Sequence, residues 1–179
     1  MAQPAVFLDR DGVINVDSGY VSTWSAFEFL PGAIEAMRDL CRSGYALVIV
    51  TNQSGIARGY YSEADFLTLT QTMRGHLETQ GVILAGVYYC PHLSDATASE
   101  YGVECGCRKP LPGMIFKAVS ELKLDLTRSA MVGDKVSDMQ AAHAAGIETC
   151  FHVTQGETAP GCISVADLAS ATARLLKTN

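Results

Sequence analysis

The sequence lacks any apolar run approaching the length needed to span a bilayer. Its start, Met1-Ala2-Gln3-Pro4 followed by the short apolar run Ala5 to Leu8, has neither the basic segment nor the longer apolar stretch of a secretory signal. A cytoplasmic protein with no membrane partner is expected. An excess of positive charge is missing as well: 13 Lys and Arg stand against 19 Asp and Glu, a net charge of −6, which disfavours attraction to nucleic acid or anionic surfaces. Any phosphorylated ligand must therefore be held by local cations. Repeats, linkers and low-complexity tracts are also absent. The 179 residues, 48% of them hydrophobic, are expected to form a single domain over 1–179, as a monomer.

Short apolar runs alternate with segments of helical period. Ala5 to Leu8, Ala46 to Val50, Val82 to Tyr89, Ala130 to Val132 and Thr149 to Val153 read as strands. Ala33 to Arg42, a segment opening at Ser62, Gly113 to Leu122, Val136 to Ala145 and Val165 to Leu176 read as helices, with Ser62-x-x-Asp65 as a capping box. This order predicts an α/β fold: a doubly wound parallel sheet with helices on both faces.

In such sheets ligands gather at the carboxyl ends of the strands, so the residues after each apolar run carry the argument. The first run ends in Asp9-Arg10-Asp11-Gly12, and residues two apart on an extended chain point to the same side. Two carboxylates this close call for a hard cation such as magnesium between them. The second run ends Thr51-Asn52-Gln53-Ser54-Gly55, offering a hydroxyl, amides and small residues whose backbone N–H groups suit an anion. Arg108-Lys109 precede a proline-marked helix start, and Gly133-Asp134-Lys135 follow the fourth run. Each alone reads as an ordinary turn or solvated pair; four strand ends in this order make a sharper statement.

Taken together they resemble the haloacid dehalogenase-like phosphatase superfamily along nearly the whole chain. More narrowly, Asp9-Arg10-Asp11-Gly12-Val13-Ile14-Asn15, Thr51-Asn52-Gln53-Ser54-Gly55, Cys107-Arg108-Lys109-Pro110 and Gly133-Asp134-Lys135 look like the D-glycero-D-manno-heptose 1,7-bisphosphate phosphatases. Histidinol-phosphatase domains share much of this pattern. The resemblance implies a Rossmann-like fold without a separate cap domain, since no cap-sized insertion follows Asn15 or precedes Arg108. It implies hydrolysis through an aspartyl-phosphate on Asp9, with Asp11 as acid and base and with Thr51 and Lys109 on the phosphoryl oxygens. Magnesium is then expected on the Asp9 carboxylate, the Asp11 carbonyl and Asp134, and Asp138 is expected to orient Lys109. The resemblance further places a small phosphorylated sugar against the loop Asp17, Ser18, Gly19 and Tyr20 and against Asn52, Gln53 and Ser54. Arg108 and Lys135 suit a phosphate that is retained. The expected activity is release of the 7-phosphate of heptose 1,7-bisphosphate in ADP- or GDP-heptose precursor synthesis, which serves lipopolysaccharide. A histidinol-phosphate phosphatase and a non-enzymatic phosphoacceptor domain are the alternatives.

Six cysteines in a reducing compartment read as core residues or metal ligands before disulfides. Cys41, Cys150 and Cys162 stand alone in apolar or mixed surroundings. Cys90-Pro91-His92 and Cys105-Gly106-Cys107 instead form two short arms, a Cys₃His set suited to a closed structural zinc that would stabilise the loop 90–107. The same pattern resembles the zinc loop of the heptose bisphosphate phosphatases.

Overall fold

In β1 (Gln3–Leu8) the last four side chains, Ala5 to Leu8, are all buried, a pattern that only a strand covered on both faces permits. It joins β2 (Ala46–Asn52), β3 (Leu84–Cys90), β4 (Leu124–Gly133), β5 (Thr149–Val153) and β6 (Ile163–Val165) in one parallel sheet of order β3-β2-β1-β4-β5-β6. The computed structural model describes residues 2–177. Helices α1 (Ala33–Arg42), α3 (Glu63–Thr79) and α6 (Leu168–Lys177) cover one face, and α4 (Gly113–Leu122) and α5 (Val136–Ala145) the other. A single turn, α2 (Ser54–Ala57), caps the end of β2. Neighbouring β1 residues serve opposite cores, as the two-residue period of a strand requires: Leu8 packs with Met37, Leu69 and Leu77, and Phe7 with Ile115, Met139 and Ala142.

The chain builds outward from β1 to β3, then returns to the other side of β1 to lay down β4. Connections therefore diverge above β1 and β4, which opens a crevice at their carboxyl ends. Asp9 and Asp134 sit there.

The larger differences from the sequence reading fall in three elements, while β1 and β2 each gain two residues at one end. The fourth strand starts at Leu124 rather than Ala130. Its polar first half pairs with Gln3 and Pro4 before the register shifts. That irregularity is closed by Ser129, whose hydroxyl donates to the Asp125 carbonyl (2.6 Å) and accepts from the Ala5 N–H (2.9 Å). The last helix starts at Leu168 rather than Val165, because Ile163–Val165 is recruited as an edge strand by β5. The third strand runs two residues later at its start, from Leu84, and ends on Cys90. The Ser62 capping box forms as the spacing predicts: Ser62 Oγ accepts the Asp65 N–H at 3.1 Å, and Asp65 Oδ2 accepts the Ser62 N–H at 2.8 Å. Among the described residues no helix is long and apolar enough to cross a membrane.

Candidate active site

Asp9, the first residue beyond β1, is buried at the floor of the crevice. The chain then turns sharply, with the Arg10 carbonyl accepting from the Ile14 N–H (2.8 Å) and Gly12 at φ +84°. A Cβ on Gly12 would lie 2.4 Å from Asp134 Oδ2, so Asp134 reaches the site only because this position has no side chain.

Lys109 enters from the loop between β3 and α4. Its Nζ lies 3.0 Å from Asp9 Oδ1 and 2.6 Å from Asp138 Oδ1, and donates to the Val50 carbonyl at 2.7 Å. Asn52 holds the lysine backbone by a reciprocal pair, accepting the Lys109 N–H (3.0 Å) and donating to its carbonyl (3.1 Å). Burial alone would lower the Lys109 pKa, but the Asp9 and Asp138 carboxylates outweigh it and hold the ammonium protonated. Asp138, in the first turn of α5, uses its other oxygen to accept the Lys135 N–H at 3.0 Å.

The acidic groups exceed the available positive charge. Burial pushes Asp9 up to about 7; Lys109 opposes that rise, while Asp138 and Asp134 add to it. Asp134 is raised as well, by burial first, with Lys135 opposing and Asp138 adding. Asp9, Asp134 and Asp138 place carboxylate oxygens within 4.8 Å of one another. Both Asp138 oxygens are already engaged, whereas buried Asp134 Oδ1 has no hydrogen-bond donor. Asp9 and Asp134 thus fit a hard divalent cation, and Asp138 fits Lys109.

Asp11 is held by three donors. Arg10 Nη2 lies 3.0 Å from both its oxygens, Asn15 Nδ2 donates at 2.9 Å, and Gln53 Nε2 at 3.2 Å. Gln53 also donates to Thr51 Oγ1 (2.9 Å) and accepts from the Tyr61 hydroxyl (2.5 Å). Burial pushes Tyr61 up to about 12, with Arg10 opposing, so the phenol keeps its proton and remains a donor.

Above these groups lies a polar depression of about 260 Å³. Asp17, Gly19 and Tyr20 line one side; Asn52, Gln53, Ser54 and Lys135 complete it together with Asp11. Ser18 and Arg108 do not line it; Arg108 Nη1 donates to the His92 carbonyl at 3.3 Å. A larger hollow of about 580 Å³ lies beside β3 under the cysteine loop, away from Asp9.

That loop brings its four ligands together. Cys90 Sγ lies 2.8 Å from Cys107 Sγ and 3.5 Å from Cys105 Sγ, and His92 Nδ1 lies 3.3 Å from Cys107 Sγ. A tetrahedron with Zn–S bonds of about 2.3 Å has edges of roughly 3.8 Å, so slight expansion of this cluster accommodates zinc. Leu93 N–H bonds to the Tyr101 carbonyl at 3.1 Å, and the Tyr101 and Tyr89 hydroxyls both donate to Glu63 at the start of α3.

Comparison with known proteins decides the family. Residues 106–174 match the HAD-hydrolase-like family model. A D-glycero-beta-D-manno-heptose-1,7-bisphosphate 7-phosphatase from Photorhabdus laumondii is 56% identical over 154 residues, covering 86% of this chain and 82% of that protein. The protein of the same name from Escherichia coli K12 is 53% identical, covering 86% of this chain and 81% of its own length. The chain belongs to the D-glycero-beta-D-manno-heptose-1,7-bisphosphate 7-phosphatase family. It is a HAD-like phosphatase. The solved D,D-heptose 1,7-bisphosphate phosphatase from B. bronchiseptica, complexed with magnesium and phosphate, superposes at TM-score 0.86 with 32% identity, covering 98% of this chain and 99% of that one.

Several residues of the candidate site escape reasoning from sequence. Arg10 is 1% exposed, with its guanidinium carbon 5.9 and 5.8 Å from the Phe27 and Phe66 ring centroids. Asn15 and Tyr61 orient Asp11 directly or through Gln53. His152 accepts the Ala159 N–H at Nδ1 (3.1 Å), which leaves Nε2–H to donate to the Asp134 carbonyl at 3.2 Å. Tyr61 fits here because Gly55 has no side chain: a Cβ there would sit 2.2 Å from the ring. Arg10 and His152 are placed against residues elsewhere along the chain, and Asn15 is set by the turn that brings it back onto Asp11.

Proposed function

We propose that the chain releases the 7-phosphate of D-glycero-D-manno-heptose 1,7-bisphosphate, with magnesium, through an aspartyl-phosphate on Asp9. The names of its relatives favour the beta anomer. The reaction would serve ADP- or GDP-heptose precursor synthesis in a single domain carrying a zinc-stabilised loop at 90–107. The observation that carries this reading is a buried carboxylate at the end of β1, set between the Lys109 ammonium and an Asp134 oxygen that no protein donor satisfies.

Magnesium would be held by the Asp9 carboxylate, the Asp11 carbonyl and Asp134. When bound it supplies charge neutralisation and orientation of the phosphoryl group. Asp9 attacks phosphorus as the bond to the sugar oxygen breaks. Asp11 delivers a proton to that departing oxygen, then takes one from the water that cleaves the acyl phosphate, a contribution of about 10² to 10⁴ in rate. Its tether to Asn15 and Gln53 fixes the orientation of its carboxylate. Thr51 Oγ1 accepts from Gln53, which frees its own hydrogen for a phosphoryl oxygen. Lys109, immobilised by Asp138 and Asn52, provides fixed positive charge as the transition state forms.

Lys135 lies at the rim with Nζ 3.6 Å from Asp17. There it would meet the retained 1-phosphate, joined by Arg108 once that side chain leaves the His92 carbonyl. A charge-assisted contact of about 1.5 to 3 kcal/mol converts to roughly tenfold to hundredfold preference for the bisphosphate over the 7-monophosphate. The test is catalytic efficiency with magnesium on the heptose 1,7-bisphosphate, the 7-monophosphate and histidinol phosphate, in the parent and in Arg108→Ala. The bisphosphate should lead, and Arg108→Ala should remove much of that lead. A ratio near one, or faster hydrolysis of histidinol phosphate, would overturn the heptose reading. Asp9→Asn should abolish both turnover and phosphoryl labelling of the chain; labelling that survived would place the nucleophile elsewhere.

A further inference from the structure

Outside the active site and the cysteine loop, a third group of metal-competent side chains converges from three elements. His143 lies in the last turn of α5, Cys150 on β5, and Cys162 just before β6. One ligand atom from each lies within 4.8 Å of the others, and Cys162 Sγ is 3.9 Å from His143 Nε2. In sequence these cysteines read as isolated core thiols. Here they face one another and a histidine.

The local backbone is arranged around this meeting. Residues Ala159 to Cys162 make a tight turn closed by Cys162 N–H to the Ala159 carbonyl at 3.2 Å. Gly161 takes φ +74°, and a Cβ there would approach His143 Cε1 at 3.4 Å, so the turn brings Cys162 directly against the imidazole. Both thiols otherwise have only weak acceptors: Cys150 reaches the Ile147 carbonyl at 3.5 Å, and Cys162 the Pro160 carbonyl at 3.6 Å. Cys150 is buried, Cys162 half-buried and His143 exposed, so one side of the cluster is open to water.

We propose that His143, Cys150 and Cys162 form a second thiophilic metal site, taking one zinc ion with water as the fourth ligand. Two thiolates, one imidazole and an open position are a ligand set that zinc accepts. With bonds of about 2.3 Å to sulfur and about 2.1 Å to nitrogen, one ion bridges atoms 3.9 Å apart at an ordinary wide tetrahedral angle. Binding transfers one proton from each thiol to solvent, with no change of oxidation state.

The ion would clasp the end of α5 to the segment between β5 and β6. That segment reaches the catalytic crevice through Ala159, His152 and the Asp134 carbonyl. Its effect is on the rigidity of this flank, since the ion lies at the opposite end of α5 from Asp138.

The experiment is zinc titration of reduced, metal-free protein against a chromophoric chelator, with thermal melts at each stoichiometry, for the parent, Cys162→Ser and His143→Ala. The parent should bind one equivalent of zinc more than either variant. Whatever the 90–107 loop binds is common to all three, so that difference does not depend on the loop. Saturation of this equivalent at about 100 times its dissociation constant should raise the parent's Tm by roughly 5 to 10 °C, and the variants should lack that increment. Equal stoichiometry in all three proteins would remove the site, and so would an added equivalent that both variants retained.

Discussion

Arg10 shows how much of the proposed chemistry would rest on one side chain that touches no reacting atom. Its Nη2 bridges the Asp11 oxygens and the Val21 carbonyl (2.8 Å), while its other nitrogens face Phe27 and Phe66 rather than acceptors. Lysine has no planar fork to reproduce this, so Arg10→Lys should lower kcat by roughly 10- to 150-fold with little change in KM, read from steady-state kinetics. Asp138 is a second case. Its loss leaves the buried Lys109 with Asp9 alone, so Asp138→Ala should cost about 3–5 kcal/mol, measured by urea unfolding. An unchanged midpoint would mean that Lys109 is not held as an ion pair. At this scale Asp9 and Asp11 were legible because a spacing of two on a strand end puts both on one side. Arg10 was not, since an arginine between two aspartates reads as a surface charge until Phe27 and Phe66 close over it.

Among the elements, α3 and the cysteine loop are tied through Glu63, which accepts from Tyr89 (2.6 Å) and Tyr101 (3.1 Å) just after the Ser62 cap. Ser62→Ala removes one N-cap acceptor, worth about 1 kcal/mol, and should lower Tm by about 2–4 °C in a thermal melt. The loop itself has little regular structure, and on the proposed reading a zinc ion holds it. Stripping zinc with a strong chelator should therefore raise hydrogen exchange across 92–107 and slow turnover, because Cys107 lies two residues before Lys109. Unaltered exchange would show that the loop is held without metal. Local patterns identified the five longer helices and four strand ends, but not the single turn α2. They missed β6 and the first half of β4, where pairing with β5 and β1 decides and the residues themselves are short-lived in apolar character or polar.

For the whole molecule the main consequence is electrostatic. In the metal-free protein Asp9, pushed up to about 7, and Asp134, also raised, hold protons that the unfolded chain has already released above about pH 4. Folding then takes up protons in this window. The stability these groups contribute is complete below their unfolded pKa and is lost as pH rises through the folded values. Metal-free protein should therefore melt at falling temperature between about pH 5 and 7.5, and Asp9→Asn should flatten the decline. Magnesium, which the proposed function places on the ionised carboxylates, should raise Tm more at pH 7.5 than at pH 5. A metal-free Tm that climbed through this range would contradict the balance of burial over Lys109 described for Asp9.

The alternation of apolar runs and helical segments determined the parallel α/β architecture by itself, because burial on both faces of a strand demands uninterrupted apolar residues. The strand ends likewise singled out Asp9, Asp11, Thr51, Lys109 and Asp134 as candidates, since ligands in such sheets gather at carboxyl edges. Only the tertiary structure decided that Asn52 grips the Lys109 backbone, that Arg10 is buried against Phe27 and Phe66, and that His143, Cys150 and Cys162 share one place. Those outcomes depend on which loops the order β3-β2-β1-β4-β5-β6 sets side by side. Contacts between residues far apart along the chain carry no local periodicity from which to read them.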